Sequence, residues 1–234
     1  MRLNVLVFTL GVVLLAEVLV LIPPGPPPSG GRYARLEAIE SHPPATEKAT
    51  FAMGCYYHGE ERLGSLDGVL ETRAGILDGR EVVEVTFDPS ELPFEQLLRD
   101  ARKLECTSRV YAHTDDQLRV AEAVAGNKAV RLSEPARDAI PRDRLFSLGT
   151  SNLRYLPLTP MQATKINADL GLQRGDGTAW LSPHQLELLA RIEATLKKDP
   201  YALDGLERPS DPAVLPAYEV ELVERLIPTA GKDQ

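Results

Sequence analysis

Cysteine is nearly missing from this chain: Cys55 and Cys106 are the only two among 234 residues. Two cysteines exclude a disulfide framework and leave at most one bond between them. Neither belongs to a C-x-x-C or to a closely spaced histidine pair, so the common zinc motifs are excluded as well. Basic charge is also short. Lys and Arg total 26 against 34 Asp and Glu, a net charge of −8. A surface that follows phosphates needs the opposite balance, so nucleic acid is excluded as a main partner. No long block of like charge occurs, which argues against a charged tail. Tryptophan is used once, at Trp180, and long apolar runs are limited to one.

That run spans Leu3–Ile22. Its length suits a membrane span, and Arg2 beside the amino terminus biases the start toward the cytoplasm. Residues 1–22 are therefore read as a signal anchor that holds the remainder outside the cytoplasm, on the periplasmic or extracellular side. The alternative is a cleaved signal peptide and secretion, although no small-x-small cleavage site precedes Pro23. Glu17 inside the run is costly in lipid. Residues 23–47 open with P-P-G-P-P-P-S-G-G, a stiff-then-flexible linker, in which Tyr33–Ser41 has the composition for a short helix.

The chemistry concentrates in Ala49–Glu60, A-T-F-A-M-G-C-Y-Y-H-G-E. This reads as a short apolar strand running into a helix, with Cys55 at the junction. The free N–H groups of a helix start favour anions, and so the thiolate, the reactive form of cysteine. The competing reading is a small buried hydrophobe. Downstream, Val69–Ile76 and Arg80–Phe87 read as strands joined by an Asp78-Gly79 hairpin turn. Leu92–Leu104 carries Phe94, Leu97, Leu98, Ala101 and Leu104 at helical spacing. Arg109–His113 and Asp115–Ala125 read as a strand and a helix. The order β-α-β-β-α-β over residues 48–128 predicts an α+β, ferredoxin-like two-layer sandwich.

Beyond Ala129 the pattern is irregular to about Arg154. A phrase then occurs twice: Leu158-Thr159-Pro160-Met161-Gln162 and Leu181-Ser182-Pro183-His184-Gln185. Each has a hydroxyl N-cap and a proline in the first turn. They predict helices over Pro160–Leu170 and Pro183–Leu196, within a helical extension spanning 129–198. The pair is expected to pack on the sandwich or cover its site, with Trp180 as a packing anchor. Residues 199–234 form a proline-rich tail with a short helix near Ala217–Leu226.

Four segments in order resemble the peptide methionine sulfoxide reductase A family. Ala49–Glu60 is similar to that family's A-T-F-A-G-G-C-F-W-G-x-E. Gly68-Val69 with Thr72-Arg73-Ala74-Gly75-Ile76 is similar to its G-V and T-R-x-G-Y. Gly79–Pro89 matches its H-A-E-V-V-x-V-x-F-D-P, and Val110–Gln117 its next strand and helix start. The resemblance covers about a third of the chain and implies a fold and a chemistry. It implies that Cys55 attacks the sulfoxide sulfur, that Glu81 protonates the sulfoxide oxygen, and that Tyr56 and Tyr57 wall the methyl pocket where the family has Phe and Trp. A protonated Glu81 requires an apolar setting. The resemblance further implies a Cys55 sulfenic acid, with which a second thiol condenses to a disulfide that an external reductant reopens. By a gapped alignment Cys106 falls near a pocket residue, where it would recycle Cys55 through a Cys55–Cys106 disulfide. No prosthetic group is implied; an external reductant such as a thioredoxin-like protein is, and the substrates are oxidised proteins or peptides. The sequence departs from the family pattern at Ile76, in a missing H-D-P-T-Q segment, and in lacking C-terminal cysteines.

Two other readings compete. The M-x-C at the first loop also resembles heavy-metal-associated domains, with Met53, Cys55, His58 and Cys106 as soft ligands for Cu(I). A catalytically degenerate domain kept for partner binding is the third. In the bland reading Glu81 is an exposed hairpin-end carboxylate, and Glu60 is a helix-start carboxylate with a structural role.

Overall fold

A computed structural model describes residues 31–227. The expected signal anchor at 1–22 lies outside the described residues. Among the described residues no helix is long and apolar enough to cross a membrane.

The first helix, α1 (Arg32–Ser41), buries Leu36. Strand β1 (Glu47–Ala52) leads to α2 (Tyr56–Gly64), then β2 (Val69–Leu77), β3 (Arg80–Phe87), α3 (Phe94–Lys103), β4 (Arg109–Ala112) and α4 (Asp115–Ala125). The predicted β-α-β-β-α-β order is present. Asp78 and Gly79 take positive φ, 50° and 67°, the pair of left-handed residues that an Asp-Gly hairpin turn requires. The hairpin sets the register, placing Ile76 opposite Glu81 and Leu77 opposite Arg80.

The sheet is larger and more mixed than four strands. Its order is β5-β4-β1-β3-β2-β6, where β5 (Ala129–Arg131) and β6 (Arg137–Asp138) come from the stretch that reads as irregular. Strand β5 runs parallel to β4, and β6 antiparallel to β2. Both edge strands are too short to show a hydrophobic period, so periodicity could not reveal them.

Strand alternation sorts the core into two faces. Phe51, Val83, Val85 and Phe87 point to α2, α3 and α4, where they meet Leu63, Leu97, Leu98 and Ala101. Ala52, Leu77, Val82 and Tyr111 cluster on the other face. Helix α3 shows its sequence pattern most directly: Phe94, Leu97, Leu98 and Ala101 are its buried residues.

The second half builds its own core. Helices α5 (Phe146–Gly149), α6 (Pro160–Gly171), α7 (Pro183–Lys198) and α8 (Leu215–Arg225) enclose Leu156, Leu158, Ile166, Leu188, Ile192, Leu203 and Leu222. The twice-used phrase forms two complete capping boxes, Thr159 with Gln162 and Ser182 with Gln185. The two glutamines also bond each other, Gln162 Nε2 to Gln185 Oε1 at 2.8 Å. Trp180 anchors this region by donating its indole N–H to Asp169 at 2.8 Å.

This helical unit docks on α2. Lys165 of α6 donates its ammonium to the carbonyls of Gly64 and Leu66 at 2.9 and 2.7 Å; the Gly64 oxygen belongs to the last residue of α2, where helical partners run out. Gly171 lies against the Glu61 side chain, where a Cβ would collide with the carboxyl group. The helix that begins at Cys55 is therefore held from both sides.

Candidate active site

Cys55 is the N-cap of α2, with extended backbone at φ −151° and ψ 119°. Gly54 before it is exposed and Cys55 is half-buried, so the thiol sits at the surface end of the helix start. The next N–H of the helix, that of Tyr56, is taken by a carboxylate: it donates to Glu81 Oε2 at 2.8 Å. The backbone fixes that meeting. The Met53 N–H donates to the Glu81 carbonyl at 3.1 Å, holding the loop before Cys55 against the first residues of β3. Glu81 is thus beside the cysteine, half-buried, and not an isolated hairpin-end charge.

Tyr56 and Tyr57 form an aromatic corner next to the thiol, with ring centroids 5.1 Å apart and planes at 62°. The wall includes a ring that sequence reasoning missed. Phe146 stacks on Tyr57, with centroids 4.5 Å apart and planes at 19°. Asp143 was missed as well. The Tyr56 hydroxyl donates to its Oδ2 at 3.1 Å. Burial first, and then the bond and charge of Asp143, push the Tyr56 phenol up to about 12. The Tyr57 phenol is raised by the same causes in the same order. Both phenols are therefore neutral hydrogen-bond donors at neutral pH.

Two buried carboxylates of α2 bring the Asp143–Phe146 segment here. Glu60 accepts the Ala74 N–H on Oε1 at 3.0 Å and the Leu145 N–H on Oε2 at 2.7 Å. Glu61 accepts the Ser147 hydroxyl at 2.7 Å. Leu145 turns through the left-handed region at φ 50°, which directs Phe146 back toward Tyr57. Burial is the largest influence on Glu60 and lifts its carboxyl to about 8, against the two N–H donors and Arg144. The sequence-based reading of Glu60 as structural fits this setting, but its partners are β2 and the second half, rather than the helix start.

Cys106 is enclosed, unlike Cys55. It is 2% exposed within the core beneath the sheet, among the side chains that surround Leu97 and Leu98. Its thiol donates to the Leu104 carbonyl at 3.4 Å. Burial pushes it up to about 11, opposed by the Arg62 guanidinium. Both cysteines are free. The soft-metal set is not assembled. His58 is exposed, Met53 is buried against Gly59, and Cys106 is in the core. Among the described residues no group of three or more His, Cys, Asp or Glu could hold a metal ion.

A cysteine at a helix start, a carboxylate on the adjoining N–H and a wall of aromatic rings define a thiol site on an α+β scaffold. Comparison with curated proteins finds relatives of one family. The chain is 34% identical over 109 residues to the peptide methionine sulfoxide reductase MsrA of Geobacter sulfurreducens, covering 33% of this chain and 67% of the relative. It is 32% identical over 151 residues to that of Methanothermobacter thermautotrophicus, covering 49% of this chain and 88% of the relative. A solved methionine sulfoxide reductase A of Corynebacterium diphtheriae overlaps 35% of this chain and 54% of its own, with 21% identity and a TM-score of 0.30. No protein-family model matches the chain. This chain belongs to the peptide methionine sulfoxide reductase A family, as a divergent member.

Proposed function

We propose that the chain reduces methionine sulfoxide in peptides or proteins, with Cys55 as the nucleophile. One observation carries the reading: Glu81 is bonded to the N–H of the residue after Cys55, which puts an acid and a nucleophile at one helix start. The sulfoxide sulfur is attacked by the Cys55 sulfur while Glu81 gives a proton to the sulfoxide oxygen. The oxygen passes to Cys55, leaving methionine and a sulfenic acid. Tyr56, Tyr57 and Phe146 supply an apolar wall for the S-methyl group, with Asp143 holding the Tyr56 ring by its hydroxyl. A thiol condenses with the sulfenic acid, releasing water and forming a disulfide. A second thiol attack restores Cys55.

An external, thioredoxin-like reductant serves this cycle without moving the core. Cys106 serves it only by leaving its buried position, since its thiol is both enclosed and held protonated by burial. The strand order β4-β1-β3-β2 supports a ferredoxin-like unit at the centre of the sheet, extended at both edges. The apolar run at 1–22 supports an anchored protein whose catalytic face lies outside the cytoplasm, with oxidised proteins there as substrates.

The test is a thiol count and mass before and after methionine sulfoxide is added to the reduced protein. Release of one methionine, with Cys55 converted to a sulfenic acid and Cys106 still free, supports direct recycling by an external thiol. Loss of both thiols to one disulfide assigns Cys106 to the cycle. Turnover that survives Cys55→Ser would refute the assignment.

A further inference from the structure

A cavity of about 620 Å³ opens beside the thiol site and is not used by the chemistry above. Glu60, Leu145, Thr72, Ala163 and residues of the Leu203–Ser210 segment line it. Cys55, Tyr56, Tyr57, Glu81 and Asp143 do not line it.

Its lining holds five arginines and five carboxylates, and two of those arginines, Arg208 and Arg154, pair with no carboxylate of the described residues. Arg208 bonds the Leu158 carbonyl through Nη1 at 3.3 Å. Its Nε is buried with no partner, and no carboxylate of the described residues pairs with its head group. Arg154 bonds the Gly149 carbonyl and lies over the Tyr155 ring, 4.5 Å from its centroid, again with no carboxylate. Arg144 reaches a carboxylate, that of Asp138, only at 4.0 Å, and it lies near enough to Arg208 to repel it. An enclosed guanidinium without a carboxylate is costly, and an anion on Arg208 would complete it. The planar fork of arginine suits a carboxylate best when two oxygens are offered together. Asp204 and Glu207 are exposed carboxylates on the same cavity. A polyanion would be repelled there, whereas a ligand with one carboxylate and one ammonium finds both partners.

We infer that this cavity binds a short zwitterionic peptide, its carboxylate on Arg208 and Arg144 and its ammonium facing Asp204 and Glu207. The volume lies in the range of small-ligand sites and accommodates a few residues. The inference stands apart from the chemistry of Cys55, and its test reads binding rather than turnover.

The experiment is titration of the reduced full chain, followed by NMR and calorimetry, with tri-alanine, tri-alanine amide, N-acetyl tri-alanine and inorganic phosphate. Tri-alanine is expected to bind one to one, the amide at least tenfold more weakly, and the N-acetyl form several-fold more weakly. Arg208→Met should weaken tri-alanine at least tenfold, and Cys55→Ser should leave it unchanged. Should Arg208→Met fail to fold, Arg144→Gln takes its place, and the acid-against-amide comparison on the native chain needs no variant. Equal binding of acid and amide, or no binding, overturns the inference. Phosphate binding as tightly as tri-alanine also overturns it, in favour of an unselective anion site.

Discussion

Glu60 and Lys165 make the stability of this protein depend on pH in opposite senses, with a minimum near pH 8. Glu60 is fully buried, and its carboxyl rises from 4.5 to about 8 on folding. The folded state then holds a proton that the unfolded state has released, so stability is fully present below pH 4.5 and falls as pH rises toward 8. Lys165 falls from 10.5 to about 8, chiefly by burial. The unfolded chain then holds the extra proton, so stability grows as pH rises from 8 toward 10.5. At 1.36 kcal/mol per pKa unit, the Glu60 limb is at most about 5 kcal/mol and the Lys165 limb at most about 3 kcal/mol; partial relaxation of the ionised sites would reduce each to roughly half. The assay is urea unfolding at pH 5, 6.5, 8 and 9, read as differences between native and variant chains. Other titrating groups then cancel, including Cys106, which opposes Lys165 above pH 9. Glu60→Gln should flatten the limb below pH 8 and Lys165→Met the limb above it. A native chain equally stable at pH 5 and 8, or a Glu60→Gln variant that keeps the full decline, would refute the argument.

Three further outcomes are expected. Gly59→Ala should cost about 2 kcal/mol or more by overpacking, because a Cβ there runs into Met53 Sδ and lies 2.9 Å from Val83 Cγ2; denaturant unfolding measures it, and an unchanged midpoint contradicts it. Asp143→Asn should lower the titration point of the Tyr56 phenol from about 12 yet leave it above 10, because burial outranks the carboxylate among its causes. Ultraviolet titration of tyrosinate reads the shift, and KM for methionine sulfoxide should rise several-fold. Iodoacetamide at pH 8 should label Cys55 alone in the folded chain and both cysteines in urea, since Cys106 is enclosed and poorly ionised; equal labelling of both in the folded chain would contradict that placement.

Much of the central sheet was legible because its signals are local. The Asp78-Gly79 turn, the apolar runs of β1 and β3 and the spacing along α3 each report their own geometry. The two capping boxes were legible for the same reason: a hydroxyl, a proline and a glutamine within four positions are enough to start a helix. Cys55 and the two tyrosines after it could be placed at a helix start from that pattern alone. Cys106 could not be placed, because a gapped alignment fixes neither the face of the chain nor its depth. Nothing local announces Asp143 or Phe146. They lie in a segment without period, and their place depends on bonds to Glu60 and Glu61 about eighty-five positions away in sequence.

That long-range clamp brings a carboxylate and a ring from the second half of the chain to the tyrosines after Cys55. The resemblance counts a lost aspartate segment and a tyrosine replaced by Ile76. The structure places an aspartate and a ring beside the tyrosines, both from a segment outside the four that resemble the family. Asp143 meets the Tyr56 hydroxyl, and Phe146 covers Tyr57. Both depend on α2 being fixed against α6, with Lys165 on its last carbonyl and Gly171 giving room to Glu61. The helical unit is then part of the site rather than an ornament on it. Weakening the dock at Gly171→Ala, far from the thiol, should therefore loosen the Phe146 wall and raise KM more than it lowers kcat, while leaving the Cys55–Glu81 junction, which rests on β1 and β3, in place.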